Sequence, residues 1–427
     1  MTSNAILPRA AARPARLVAM PSMPAATPPA SLASPFDSLP DELIEAIGER
    51  VLNERPWSSE CDRASLHALS FVNRRFWRIL EPLRWRYLEI PARGRFDRLK
   101  HSLADKHGHV KRINLELSAS PATGVGILID CLRQCDFLSH FDLLAPAWLG
   151  LSSSSSMLLQ DIVEAIEHSS RQLQVLKLGY EGRRDRFPKP ALTAILQQSA
   201  SLRIFELDTS IGYDSDISTR IKIERELCEA LVHVSSLRLA KLRLTGVPAL
   251  ATDCIPHWPN LTHLNLIIDD LQGGDHLFRL LECVSGSLRN LSLQFDLRSV
   301  HRFPEVDPAD PVQLHKLDTL RLRTDAAEAS FRQLIHISTP VATICLDNPS
   351  SYGTREIVRF VNSQPSKTVS RIVILQPPIF IDIVADWPKR DTRIALLKEQ
   401  AVQLDVTTVE MDRTEYEEEV ERRAWEE

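Results

Sequence analysis

The feature that most restricts this 427-residue chain is a hydrophobic signature that recurs along most of its length: one large apolar residue, a second three positions on, and a third two positions after that. It is clear at Leu173/Leu176/Leu178, Leu202/Phe205/Leu207, Leu239/Leu242/Leu244, Leu261/Leu264/Leu266, Leu288/Leu291/Leu293 and Leu317/Leu320/Leu322. Weaker copies stand at Val110/Ile113/Leu115, Leu138/Phe141/Leu143, Val341/Ile344/Leu346 and Val369/Ile372/Ile374, and first positions are 22 to 37 residues apart. The last two residues of each copy are two apart, the period of a strand with one buried face. Between copies lie runs at the three-or-four spacing of a helix. Examples are Leu159/Ile162/Val163/Ile166, Leu192/Ile195/Leu196, Leu227/Ala230/Leu231, Leu277/Leu280/Leu281/Val284, Phe331/Leu334/Ile335 and Ile357/Val358/Val361. Each unit is therefore helix, turn, short strand. A single unit cannot cover its own apolar face, so neighbours must stack, and the expected fold is an α/β solenoid with parallel strands on the concave side and helices on the convex side.

These units resemble irregular leucine-rich repeats, with one departure: the asparagine or cysteine that commonly follows the strand leucines is missing, and Glu181 and Ser210 stand there in two units. Because strand side chains alternate between faces, the residues between the leucines line the concave surface. That places Lys241, Arg243 and Thr245 on one rung, His263 and Asn265 on the next, then Asn290, Ser292 and Gln294, then Arg321 and Arg323, with Glu206 and Asp208 one rung earlier. Lys241, Arg243, His263, Asn265, Asn290, Ser292, Arg321 and Arg323 are the candidate target-binding residues. Cations flanking neutral hydrogen-bonding groups suit an acidic or phosphorylated protein segment; a solvated face of evenly mixed charge is the plainer reading of the same residues.

The segment before the repeats is helical in pattern. Leu39, Leu43, Ile44, Ile47 and Val51 share a helical spacing opened by Pro40, Asp41 and Glu42, and a second run carries Leu66, Leu69, Val72, Phe76 and Ile79 up to Pro82. Leu39-Pro40 with Glu42, Leu43 and Ile47, followed by Leu66, Leu69, Val72-Asn73-Arg74 and Phe76-Trp77, resembles an F-box. A strand-like Tyr87-Leu88-Glu89-Ile90 follows. The connection Asn53 to Ser65 is longer than is usual in that family, and Asn73 stands where cysteine is common. The resemblance implies that Leu39, Pro40, Leu43, Ile44, Val72 and Trp77 contribute to a face that docks a Skp-family adaptor on a cullin scaffold.

The remaining stretches divide the chain further. Residues 1–35 hold seven prolines, three arginines and no acidic residue, and are expected to be a disordered tail, with a mitochondrial presequence as the alternative. The domain plan is thus 1–35 tail, 36–90 F-box-like helical domain, 91–377 leucine-rich-repeat-like solenoid, and 378–427 C-terminal cap and charged tail. Glu181 to Pro190, Thr209 to Thr219 and Arg298 to Pro311 are expected to be loops, either overhanging the concave face or simply variable surface, Ser152 to Ser156 a flexible connector, Arg393 to Val402 a capping helix, and Tyr416 to Glu427 a fraying end.

Composition narrows the function. A formal charge of −5 gives no general attraction for nucleic acid, and no apolar run reaches the roughly 18 residues of a membrane span. Seven scattered cysteines without a C-x-x-C pair fit a reducing compartment, cytoplasmic or nuclear. No nucleotide-loop, zinc-protease or nucleophile-elbow motif is present, so no catalytic residue, metal ligand or cofactor is expected. Cys131 and Cys135 read as core residues, and His107-Gly108-His109 as a surface loop. The resulting expectation is a non-enzymatic substrate-recognition adaptor of an SCF-type ubiquitin ligase, the F-box docking the Skp-family adaptor and the repeats binding a target protein. The alternative is a non-ligase interaction scaffold whose F-box-like helices only cap the solenoid.

Overall fold

The fold was obtained as a computed structural model. It describes residues 35–52, 63–90, 96–103, 105–117, 125–145, 153–180, 189–209, 225, 229–231, 233–246, 258–270, 274–295, 312–323, 335–337, 342–347, 361–364, 368–376 and 387–426. The tail 1–34, the connection from Asn53 to Asp62 and most of the three long loops lie outside them.

Three helices open the chain: α1 (Asp41–Leu52), α2 (Arg63–Ser70) and α3 (Arg74–Arg86). Ile44, Leu52, Leu66, Phe76, Leu80, Leu83 and Tyr87 form their core, separate from the rest of the molecule. Gly48 makes this packing possible, since a Cβ there would stand 2.3 Å from Leu80 and 2.9 Å from Leu83. The sequence reading ran one helix through Val72 and stopped it at Pro82; the structure corrects both ends. Asn73, in an extended conformation, accepts a hydrogen bond from the Phe76 amide at 2.9 Å and starts a new helix. Pro82 lies inside that helix, which continues because Leu80 and Leu83 on either side are fully buried and their packing outweighs the lost backbone bond.

Strand β1 (Tyr87–Ile90) follows α3 directly and begins the main sheet. Then come α4 (Phe96–Leu103), β2 (Arg112–Glu116), α5 (Val125–Leu132), β3 (His140–Ala145), α6 (Ser153–Ile166), β4 (Val175–Tyr180), α7 (Lys189–Gln198), β5 (Ile204–Thr209), β6 (Leu239–Gly246) and β7 (His263–Asp270). After these run α8 (Gly274–Val284), β8 (Asn290–Phe295), β9 (Val312–Leu314), β10 (Thr319–Arg323), β11 (Ile335–Ile337), β12 (Ala342–Asp347), β13 (Val369–Gln376), α9 (Trp387–Gln403), β14 (Thr407–Asp412) and α10 (Arg413–Glu426). Among the described residues twelve strands form one sheet in the order β1-β2-β3-β4-β5-β6-β7-β8-β10-β12-β13-β14, and each of its pairings is parallel. β9 and β11 make a small parallel pair of their own. Sequence order and spatial order coincide across the sheet, which is the stacked solenoid that the repeats require.

All ten repeats of the sequence reading supply a strand of this sheet, and β1 and β14 add one at each end. The leucines of the repeats form a single core from Leu88 to Val406. One register is corrected: Leu237 and Ala240, not Leu239 and Leu242, occupy the first and second apolar positions of the β6 unit, since Ala240 pairs with Leu264 and Leu237 is fully buried. Strand faces alternate every second residue, so this two-residue slip keeps Lys241 and Arg243 on the concave side but moves each by one row. Ser153 and the serines after it form the start of α6 rather than a connector, and Ile335 lies in a strand rather than a helix.

The turns that enter the strands explain how the stack holds register without an asparagine ladder. The Lys111 carbonyl accepts from the amides of Ser139 and His140, the Ser139 carbonyl from Gln174 and Val175, the Gln174 carbonyl from Arg203 and Ile204, and the same bifurcated link repeats through Arg203, Arg238, Thr262 and Arg289. Side chains reinforce it, with Ser236 Oγ donating to Leu202 O at 2.8 Å and Asn260 Nδ2 to Ser235 O at 2.8 Å. Among the described residues no helix is long and apolar enough to cross a membrane.

Candidate functional site

Two surfaces compete for the role of a binding site: the helical head and the concave face. In the head, the residues nominated for adaptor docking separate by burial. Ile44 is fully buried in the head core, which corrects its expected place on an exposed face. Leu39 is half-buried against the same core, whereas Pro40 is exposed. Leu43 and Val72 are each 45% exposed and Trp77 37%. Sequence reasoning passed over Phe71, which is 64% exposed in the turn between α2 and α3. Its ring lies 5.3 Å from that of Trp77 and 4.6 Å from that of His67, and the Arg84 guanidinium stacks 3.7 Å over Trp77. The available signal was its position beside Val72 in a two-helix junction, where a large apolar side chain has no core to enter.

On the concave side the strand register lines up Asp142, Lys177, Glu206, Lys241, Asn265, Ser292, Arg321 and Cys345 as one row across β3 to β12. A parallel row holds His140, Val175, Ile204, Leu239, His263, Asn290 and Thr319. This surface is not open. Helix α10, expected to fray, folds back from β14 and lies along it. Tyr416 packs with Cys345, Val373 and Leu375, Ala424 packs with Val175, Ile204 and Leu239, and Val420 reaches both groups. Trp425 stacks near His140 at 5.9 Å and under the Arg203 guanidinium at 4.8 Å. A 14-residue helix is about 21 Å long, while the nine strands from β3 to β13 would span about 38 Å if flat. The helix reaches both ends because the sheet curls around it.

Charges join the two layers. Lys177 Nζ donates to Glu421 at 2.5 Å and Arg321 to Glu417 at 3.3 Å, while Asn290 Nδ2 donates to the Tyr416 hydroxyl at 3.5 Å. Burial alone would lower the Lys177 and Lys241 ammonium groups, but neighbouring carboxylates outweigh it (Glu421 and Glu206 for Lys177, Glu206 and Glu417 for Lys241), and both are held above the ordinary lysine value. For Glu417, burial pushes upward and the cations Lys241, Arg321 and Arg413 pull harder downward, leaving it below the usual carboxylate range. His263 is pushed down to about 3 by burial, helped by Arg423 and Arg289, and is neutral at physiological pH. Burial raises Asp142, which faces a cleft of about 330 Å³ beside the helix that Gly179, Asp208 and Arg243 also line.

Seven of the eight nominated target-binding residues therefore lie on one face, as the alternation required, but not as a vacant anion site. Lys241 pairs with Glu206 at 2.5 Å, Arg243 with Asp208 at 3.2 Å, and Arg321, 4% exposed, with Glu417. His263, Asn290 and Ser292 are buried and Asn265 is half-buried. The Arg323 side chain lies outside the described residues. Cys135 Sγ donates to the Cys131 carbonyl at 3.3 Å inside the solenoid core, with its thiol pushed up to about 12 by burial. Among the described residues there is no group of three or more metal-capable side chains.

No protein-family model and no curated protein matches the chain. Among solved structures, it is similar to the leucine-rich repeat-containing protein LegL7 from Legionella pneumophila, at 13% identity and a TM-score of 0.40, over 74% of this chain and 98% of that one. At that score the likeness adds nothing to the site. The repeat character rests on the parallel sheet and its continuous leucine core.

Proposed function

We propose that this protein is a substrate-recognition adaptor of an SCF-type ubiquitin ligase, in which the helical head docks a Skp-family adaptor on a cullin scaffold and the solenoid holds a target protein. One observation carries this reading: the head completes its own core with Ile44, Leu66, Phe76, Leu80 and Leu83, yet leaves Leu43, Phe71, Val72 and Trp77 in solvent. Large exposed apolar groups on a small module favour a partner that covers them. The solenoid supplies a concave face, covered here by α10, of the kind that repeat proteins use for protein recognition. The contribution is proximity, with no bond chemistry in this chain, and the reducing cytoplasm or nucleus is the matching compartment.

The second reading is an interaction scaffold whose head only caps the sheet. It is favoured by α3 running without a break into β1, so that head and first rung are one continuous piece. A pull-down of the intact chain and a Leu43→Asp, Trp77→Ala variant, read by mass spectrometry, separates the two. Recovery of a Skp-family adaptor and cullin by the intact chain, and their loss with a variant that keeps its circular dichroism, supports the ligase reading. Failure of the intact chain to recover any adaptor, where a control F-box protein does, leaves the scaffold.

A further inference from the structure

Helix α10 meets the sheet through a pattern that is simple to write down. The side chains turned to the groove are an aromatic, an aliphatic and a small residue at four-residue spacing (Tyr416, Val420 and Ala424), with carboxylates Glu417 and Glu421 beside them, each seated on a groove cation, Arg321 or Lys177. We propose that the concave face is a receptor groove for an acidic amphipathic helix of a target protein, and that α10 is the resident occupant which such a target displaces. This deepens the target-binding half of the function above and rests on it.

Three features make α10 a replaceable occupant rather than a part of the core. Among the described residues none of α10 belongs to the continuous leucine core; Tyr416, Val420, Ala424 and Trp425 pack in two separate clusters on the concave side. Its outer face carries ion pairs within the helix, Glu419 taking Arg422 at 2.7 Å and Arg423 at 2.8 Å while Arg422 takes Glu426 at 2.6 Å. Such pairs favour the helical form of the segment when it leaves the sheet without fixing it. It joins the sheet directly after β14, where the Asp412 carboxylate accepts from the Thr414 amide at 2.7 Å.

Charge selects the ligand. The helix carries six glutamates against three arginines, and among the described residues Lys177, Lys241, Arg243 and Arg321 line the clefts beside Glu417 and Glu421 against Asp142, Glu206 and Asp208. With α10 away, Val175, Ile204, Leu239, Val373 and Leu375 lose their cover together with Lys177 and Arg321. A ligand must therefore bring apolar groups and carboxylates in the same register. A basic helix would leave Lys177 and Arg321 facing like charge at close range in a buried setting, which disfavours it strongly.

The test uses a fluorescent synthetic peptide of residues 413–427 and the full chain, read by anisotropy. A tethered occupant lowers the fraction of open groove, so a Val420→Asp chain that ejects its own helix should bind the peptide at least about 100-fold more tightly than the unchanged chain. Adding Lys177→Glu should abolish that gain, and a peptide with Glu421→Lys should restore it. A cooperatively melting Val420→Asp chain that binds no better than the unchanged one overturns the proposal, as does indifference to Lys177→Glu. Should Val420→Asp fail to fold, hydrogen exchange on the unchanged chain decides. Amides of α10 exchanging well ahead of those of β6 and β7 support displacement, while exchange in step with them overturns it. Sedimentation showing a dimer at working concentration assigns the groove to the helix of a second copy and overturns a foreign target. No adaptor enters the assay, so its failure leaves head docking untouched.

Discussion

The helical head and the concave face handle apolar surface in opposite ways. The head is small, closes a core of seven buried residues and still presents Leu43, Phe71, Val72 and Trp77 to solvent. The concave face is large and, from its strand pattern, ought to be the open one, yet the chain covers it with its own last helix. A surface that periodicity marks as solvent-facing is thus occupied, while a short segment that periodicity marks as an ordinary amphipathic pair keeps its apolar groups free. Exposure depends on what else in the chain can reach a surface, and covalent distance along the sequence says little about that.

The contrast can be broken most directly at Tyr416, whose ring is buried between Cys345, Val373 and Leu375. Tyr416→Ala should weaken docking of α10 by about 3–5 kcal/mol, as for other large buried aromatics. Exchange protection of the α10 amides should fall by two or more orders of magnitude while the β7 amides hold. Equal loss in both would make the helix part of the global core.

Acid should act next most strongly, and on the covered face. His263 has a folded pKa of about 3 against an ordinary 6.5, so the folded state excludes a proton that the unfolded chain accepts. Its contribution is fully present above pH 6.5 and is lost as pH falls towards 3, amounting to about 2 kcal/mol between pH 7 and pH 5. Denaturant titrations at the two pH values should show that difference, and a His263→Gln variant should reduce it.

Substitutions on the head should be far gentler to stability. Phe71→Ser and Leu43→Asp change exposed side chains and should shift the unfolding free energy by less than about 1 kcal/mol, although the proposed function expects them to abolish adaptor capture. A thermal melt beside the pull-down checks both at once. Smallest of all, Asp208→Asn removes one member of a partly exposed ion pair with Arg243 and should cost under about 1 kcal/mol. A loss well beyond that would show that the rim of the groove is more tightly coupled to α10 than its geometry indicates.

Much of the fold was readable before any coordinates, and the reason is visible in particular residues. Leu264 and Leu266 must be buried because two inward positions per strand are all that a stacked unit offers, and ten such pairs in a row leave few arrangements other than a parallel solenoid. The β6 unit was misread by two residues because Leu239, which packs under Ala424, imitates a core leucine; sequence pattern cannot tell one apolar environment from another. Phe71 was missed because a single exposed aromatic in a turn has no periodicity to announce it.

The sequence by itself determined the strand period, the order of the strands, the face on which Lys241, His263, Asn290 and Arg321 stand, and the helical character of most of residues 41–52, 63–70 and 74–86. These follow from local backbone geometry and from the need of each unit to bury its own leucines. Only the tertiary structure decided that α10 fills the arch, that Glu417 and Glu421 neutralise the groove cations, and that His263 is neutral. Those contacts join residues about 100 to 240 positions apart, and they exist because the sheet curls enough for one short helix to touch strands from β3 to β13. Curvature of that kind is a sum of small rotations between rungs, a property of the stack that no single repeat encodes.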